Sequence, residues 1–135
     1  MTEPLLQRHK ALPKPTVLIT GCSDNGLGSA LVREFLAQGF FVYATARSTT
    51  KMAGLAKAGP DLELFELDIC SDESIAQCAK RLLALDILVN SAGVTYAMPF
   101  SDTTMAKIRQ VFETNVFGHL ALTQALLPLL LESKR

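Results

Sequence analysis

The sequence predicts an α/β fold, a doubly wound parallel sheet with helices on both faces. Three observations predict it. Short apolar runs rich in β-branched and aromatic residues alternate with stretches of helical apolar period, in the order β-α-β-α-β-α-β-α-α. That alternation argues right-handed crossovers and a parallel sheet. A loop of glycines and small polar residues separates the first strand from the first helix. Finally, there is no internal repeat beyond the βα alternation, no low-complexity tract and no linker. One incomplete domain over residues 16–135 therefore follows a loose leader, residues 1–15, marked by Pro4, Pro13 and Pro15.

The elements follow in order. Thr16 to Thr20 is a β-branched apolar run that stops at Gly21, as a buried parallel strand does before a sharp turn. Leu31, Val32, Phe35 and Leu36 share one face of a helix, and Gly39 stands where a left-handed C-cap wants glycine. Phe40 to Ala46 is the second strand, and a weak helix near Met52 to Lys57 closes at Gly59-Pro60. Leu62 to Leu67 alternates as a third strand. Ser71 or Asp72 then caps a helix with the stripe Ile75, Ala79, Leu82 and Leu83. Ile87 to Val89 is the fourth strand. Ile108, Val111 and Phe112 mark a short helix, and a longer one begins at Asn115 with Val116, Leu120, Thr123 and Leu127 facing inward.

The bulk numbers exclude several classes. Of 135 residues, 49% are hydrophobic, enough for a core, and 13 basic residues balance 13 acidic ones. No basic stripe favours nucleic acid. Cys22, Cys70 and Cys78 are odd in number and lack metal-ligand spacing, so reduced thiols in an intracellular protein are expected and no metal site. No secretory signal is visible, and the apolar runs read as too short and interrupted to span a bilayer. The segment Ala125 to Leu131 reads as a buried helix end, with contact to a membrane or lipid surface as the alternative.

The candidate chemistry lies in Thr20-Gly21-Cys22-Ser23-Asp24-Asn25-Gly26-Leu27-Gly28. A dinucleotide needs such a loop: Gly21 for a tight turn, Gly26 for close approach of backbone N–H groups to the pyrophosphate, Gly28 for packing of helix on strand. The following helix N-terminus supplies free N–H donors and a positive dipole end. Thr20, Gly21, Ser23, Gly26, Leu27 and Gly28 are therefore candidate cofactor-binding residues. About 20 residues on, an acid would bind the ribose 2′-OH and an arginine a 2′-phosphate. The sequence there reads Thr45-Ala46-Arg47-Ser48, with no carboxylate. Arg47 and Ser48 thus point to NADP(H), with NAD(H) the less favoured alternative.

Four landmarks together resemble the short-chain dehydrogenase/reductase family, which implies its Rossmann fold, here truncated after the fourth strand and following helices, with strand order 3-2-1-4. They are the Thr20–Gly28 loop, Leu67-Asp68-Ile69, Asn90-Ser91-Ala92-Gly93, and Asn115 in Thr114-Asn115-Val116-Phe117-Gly118. The resemblance implies that Asp68 bonds the adenine amino group and Ile69 flanks the ring. It implies that Asn90, Ala92 and Gly93 form the segment beneath ribose and nicotinamide, with Ser91 replacing an Asn. Asn115 is similar to the active-site Asn whose carbonyl holds a water of the proton relay. The loop wording and Val42 to Arg47 are similar to 1-acyldihydroxyacetone-phosphate reductases and hydroxysteroid dehydrogenases. That implies a small-molecule ketone or alcohol, lipid-like in character. It also implies a homo-oligomer at full length, in the cytoplasm or at an ER or lipid-droplet surface.

Three departures qualify the resemblance. Four residues separate Gly21 from Gly26, one more than is common in the family. The join from Arg81-Leu82-Leu83-Ala84 to a strand beginning at Asp86 or Ile87 has no glycine for a C-cap, so a strained corner is expected. The Tyr-x-x-x-Lys pair is absent: the only tyrosines are Tyr43 and Tyr96, followed four residues on by Arg47 and Phe100. Without that proton donor the chain alone is expected to be inactive. An exposed fourth strand and apolar terminal helix are expected to make it prone to association. Two other readings stay open, a non-catalytic NADP-binding module and an interaction fragment that pairs through the exposed edge.

Overall fold

The computed structural model describes residues 13–133, so residues 1–12 of the expected leader lie outside the described residues. Four parallel strands form one sheet in the order β3-β2-β1-β4: β1 Thr16–Ile19, β2 Phe41–Ala46, β3 Leu62–Glu66 and β4 Ile87–Val89. Register runs Thr16 to Phe41, Val17 to Ile87 and Val42 to Leu62. All four residues of β1 are fully buried, as expected of a strand covered on both faces. Lys14 and Pro15, just ahead of β1, already bond to the sheet and its margin. Lys14 pairs with Asp61, and the Phe41 N–H donates to the Pro15 carbonyl at 2.9 Å.

Strand alternation sends side chains into two cores. Leu18, Tyr43 and Phe65 face one side, covered by α2 (Asp72–Arg81) and α4 (His119–Glu132). Val17, Ile19, Val42 and Ala44 face the other, covered by Val32 of α1 (Leu27–Ala37) and by Met52 and Leu55. Those two belong to a 3₁₀ helix, Thr49–Leu55, that begins three residues before the expected helix. Gly39 ends α1 at φ +85°, donating its N–H to the Leu36 carbonyl at 3.1 Å.

Ser71 caps α2, its side chain accepting the Ser74 N–H at 3.2 Å. The corner that follows is packed rather than strained, which corrects the expectation. The helix stops at Arg81, one turn earlier than the sequence suggested. Leu82 turns to extended backbone (φ −74°, ψ 130°), and Leu82, Ala84 and Leu85 are buried. Leu83 points out, at 51% exposed, and Cys78 takes the inward place expected for it. Asp86 anchors the join. Its carboxylate accepts the Thr16 N–H at 2.7 Å and the Ser133 hydroxyl at 2.6 Å.

The two terminal helices expected from sequence are one helix, Met105–Glu132: α3 (Met105–Phe112) runs through a π turn (Glu113–Gly118) into α4. Its 28 residues are long and apolar enough to cross a bilayer by length and composition, contrary to expectation. Here part of it packs on the sheet through Leu122, Leu126 and Leu129, which are buried. Val116, Leu120 and Leu127, expected inward, are 38%, 57% and 44% exposed. The α4 portion is apolar on nearly every face, so period alone cannot choose one, and the π turn rotates the register besides.

Candidate functional site

The C-terminal ends of the strands meet where β1 separates β2 from β4, the point at which strand order reverses. Ligands of open α/β sheets bind at such a point. A cavity of about 250 Å³ opens there. Thr20, Gly21, Ser23, Arg47, Asp68, Ile69, Ala92 and Gly93 line it, and Gly26, Leu27 and Gly28 form the helix start beside it. Ser48, Asn90 and Asn115 do not line it. Lys51, Cys70, Ser91, Val94 and Thr114 also do. Lys51 was missed because only the 3₁₀ turn after β2 brings it back beside Arg47.

Backbone proximity shapes the loop. Gly21 has φ +70°, and a Cβ there would stand 2.7 Å from the Ala92 Cα. A Cβ on Gly28 would stand 2.4 Å from the Gly21 carbonyl oxygen. Gly26 has ordinary backbone angles (φ −98°), and the left-handed residue is Asn25 at φ +62°. The Gly26 N–H donates to the Ser23 carbonyl at 3.2 Å, so the free donors start at the first turn of α1, which no side chain caps. Asp24 fastens the loop to the 3₁₀ helix. Its N–H donates to the Lys51 carbonyl at 2.7 Å, and its carboxylate accepts the Gly54 N–H at 3.0 Å.

Thr20 is a structural clamp. Its buried hydroxyl oxygen accepts the Ser91 and Ala92 N–H groups at 3.0 and 2.9 Å, holding the loop after β4 against β1. Asn90 turns away from the cavity and donates to Thr123 of α4 at 3.2 Å. The Asn115 amide grips Val94 twice, accepting its N–H at 2.9 Å and donating to its carbonyl at 2.8 Å. The π turn holds this residue, a local break in helical bonding that recurs at functional sites.

At the β2 end Arg47 is exposed and makes no hydrogen bond or ion pair with the described residues, while the Ser48 and Thr50 hydroxyls pair at 2.8 Å. Asp68 accepts the Cys70 N–H at 2.9 Å through one carboxylate oxygen. Cys22 lies buried behind the loop. Desolvation pushes its thiol up to about 11, partly countered by the backbone at Thr45, which excludes it as a nucleophile near neutral pH. Among the described residues no His, Cys, Asp or Glu group could hold a metal ion.

The family model for the short chain dehydrogenases matches residues 15–135. This chain belongs to that family. It is 53% identical over 121 residues to the short-chain dehydrogenase/reductase GME11361 of Pestalotiopsis microspora, covering 90% of this chain and 45% of that protein. It is 40% identical to bovine (Bos taurus) retinol dehydrogenase 8, over 84% of this chain and 39% of that one. Among solved structures, a short-chain dehydrogenase from Streptomyces avermitilis superposes with a TM-score of 0.77 at 39% identity, over 84% of this chain and 44% of its own. NADPH-bound carbonyl reductase from chicken fatty liver also superposes at 0.77, with 30% identity, over 87% and 52%. The chain thus spans about half the length of the relatives it matches. The family's Tyr-x-x-x-Lys pair does not occur within its 135 residues.

Proposed function

We propose that this chain is the cofactor-binding half of an NADP(H)-dependent short-chain oxidoreductase that interconverts a ketone and an alcohol. The observation that carries the reading is Arg47. It stands unpaired at the end of β2, beside Lys51 and with no acid at that position, on the rim of a cavity built at the strand-order reversal. The cradle fits a dinucleotide. Gly21 and Gly28 leave room only for backbone, and the uncapped start of α1 presents N–H donors and a positive dipole to a pyrophosphate.

In this reading the Arg47 fork and the Lys51 ammonium hold the 2′-phosphate, and Asp68 and Ile69 border the adenine. Ala92 and Gly93 floor the groove toward the nicotinamide, which supplies hydride chemistry when bound. Asn115 keeps the loop at Val94 in place by its side chain, and the π turn frees backbone around it for a water of the proton relay. The proton donor belongs to a part of the family's pattern outside these residues. Kinship with a retinol dehydrogenase supports an apolar, lipid-like alcohol or ketone. Three free thiols fit an intracellular setting.

Titration of the 135-residue chain with NADPH and NADH tests the cofactor. Arg47→Ala is expected to weaken NADPH by roughly 10–100-fold, the loss of a charge-assisted bidentate contact, and to leave NADH within about twofold. Equal affinity for both cofactors, or equal weakening of both by the substitution, would refute the assignment.

A further inference from the structure

A second cavity, also of about 250 Å³, adjoins the dinucleotide groove and shares Arg47, Val94 and Thr114 with it. Arg47, Tyr96, Lys107, Gln110, Thr95 and Thr114 supply its polar wall, with Val94 and Val111 the apolar part. We propose that this cavity binds a phosphate-type dianion between Arg47 and Lys107.

Four features carry the proposal. Two permanent cations line one hollow, and no carboxylate lines it. The chain as a whole is neutral, 13 basic residues against 13 acidic, so the excess is local. Elsewhere Lys14 and Arg81 find carboxylates, at Asp61 and Glu63. Arg47 has none, and its planar fork of five donors is free.

Lys107 is held rather than waving in solvent. Its ammonium sits 5.6 Å from the Tyr96 ring centroid and donates to the Gln110 Oε1 at 3.1 Å. That spends one of its three donors and leaves two, and the cation–π contact fixes the side chain over the hollow. Two cations match two negative charges, and the Thr95 and Thr114 hydroxyls offer further donors to oxygens a carboxylate lacks. The chemistry is therefore that of a phosphate monoester or inorganic phosphate. Lys107 and Tyr96 do not border the first cavity, whereas Arg47, Val94 and Thr114 line both, so the two sites share a wall.

The source assigned to it is a separate phosphorylated small molecule; the other source, the cofactor's own 2′-phosphate, has its place between Arg47 and Lys51 in the proposed reading. The test follows amide NMR signals of Tyr96, Lys107 and Gln110 as inorganic phosphate is added to the 135-residue chain. Lys107→Met is expected to weaken phosphate by about tenfold or more, and Lys107→Arg to keep it within about threefold. Lys107 is exposed, so the fold survives, and undisturbed signals from the sheet will show it.

Repeating the titration in saturating NADPH or NADH separates the sources. Phosphate still bound beside NADPH supports a separate ligand. Phosphate displaced by NADPH and retained with NADH would place the anion in the 2′-phosphate site and overturn the proposal. Exclusion by both cofactors would place the anion in the dinucleotide groove and overturn the proposal, as would unchanged affinity in Lys107→Met. Failure of either cofactor to bind would sink the dinucleotide reading and leave the phosphate arm readable.

Discussion

Gly28→Ala tests whether the loop geometry, rather than its polarity, makes the site. The added Cβ would meet three backbone atoms: the Gly21 carbonyl oxygen at 2.4 Å, its carbon at 2.8 Å and the Cys22 Cα at 3.0 Å. None belongs to a side chain that can rotate away. Ordinary contact begins near 3.4 Å, so α1 must withdraw from β1 by about 1 Å, the difference between 3.4 and 2.4. Overpacking of this kind costs ~1–3 kcal/mol, and the better helix propensity of alanine returns at most ~1 kcal/mol. A net loss of ~1–2 kcal/mol is expected, read as a lower urea midpoint followed by circular dichroism. The first-turn N–H groups move by the same ångström, so NADPH affinity falls as well. Gly39→Ala is the control. It meets nothing within 4 Å, yet its φ of +85° costs ~1–2 kcal/mol. It is expected to lower stability without touching NADPH affinity. If Gly28→Ala keeps wild-type NADPH affinity, or if the two variants lose affinity equally, close backbone approach is not what builds the cradle.

Four further outcomes are expected. Asp86→Ala strips the buried Thr16 N–H of its carboxylate acceptor and is expected to cost ~1–3 kcal/mol in urea unfolding; an unchanged midpoint would show that the corner at Leu82–Asp86 is held by apolar packing alone. Ellman's reagent at neutral pH is expected to label exposed Cys70 quickly and buried Cys22 and Cys78 only after denaturation. Burial pushes both thiols up to about 11 from 9, so the folded state favours their neutral form: the stabilisation is full below pH 9 and lost as pH rises toward 11, and a flat melting temperature across that window would contradict it. Asn115→Ala removes both bonds to Val94 and is expected to raise hydrogen exchange at the Val94 N–H about tenfold, with the sheet amides unchanged.

The strand order and the cavity were legible because local signals agreed with each other. β-branched runs stop at Gly21 and Arg47, and parallel strands stack those stops along one edge, so residues far apart in sequence meet. What stayed hidden depended on tertiary balance. Leu120 and Leu126 are identical to any hydropathy scale, and only the π turn and the packing on β4 decide which is buried. Leu82 leaves the helix because the corner gains more from burying Leu82, Ala84 and Leu85 than from another helical turn. The dual role of Thr20 was invisible, since a hydroxyl that accepts two N–H groups from residues 71 and 72 positions away leaves no local mark. Nothing local marks Lys51 and Lys107, which line cavities with Arg47 only through the fold of the 3₁₀ helix and α3.

A row of small residues ties these parts into one rigid seam. Gly28 rests on Gly21, Gly21 on Ala92, Gly93 lies 3.4 Å from the Asn115 amide oxygen by its absent Cβ, and Gly118 rests on Ile69. Each contact is backbone against backbone or backbone against a fixed side chain. The seam runs from the start of α1, across the ends of β1 and β4, to the π turn and back to the end of β3. Side chains at a strand edge relax by rotating, but backbone in contact with backbone cannot. Contacts of this kind favour a groove whose ordering is spent in folding rather than in binding. In the proposed reading Arg47 and Lys51, which stand outside the seam on exposed stems, set which cofactor phosphate the groove takes, while the glycines set only that a dinucleotide's backbone fits.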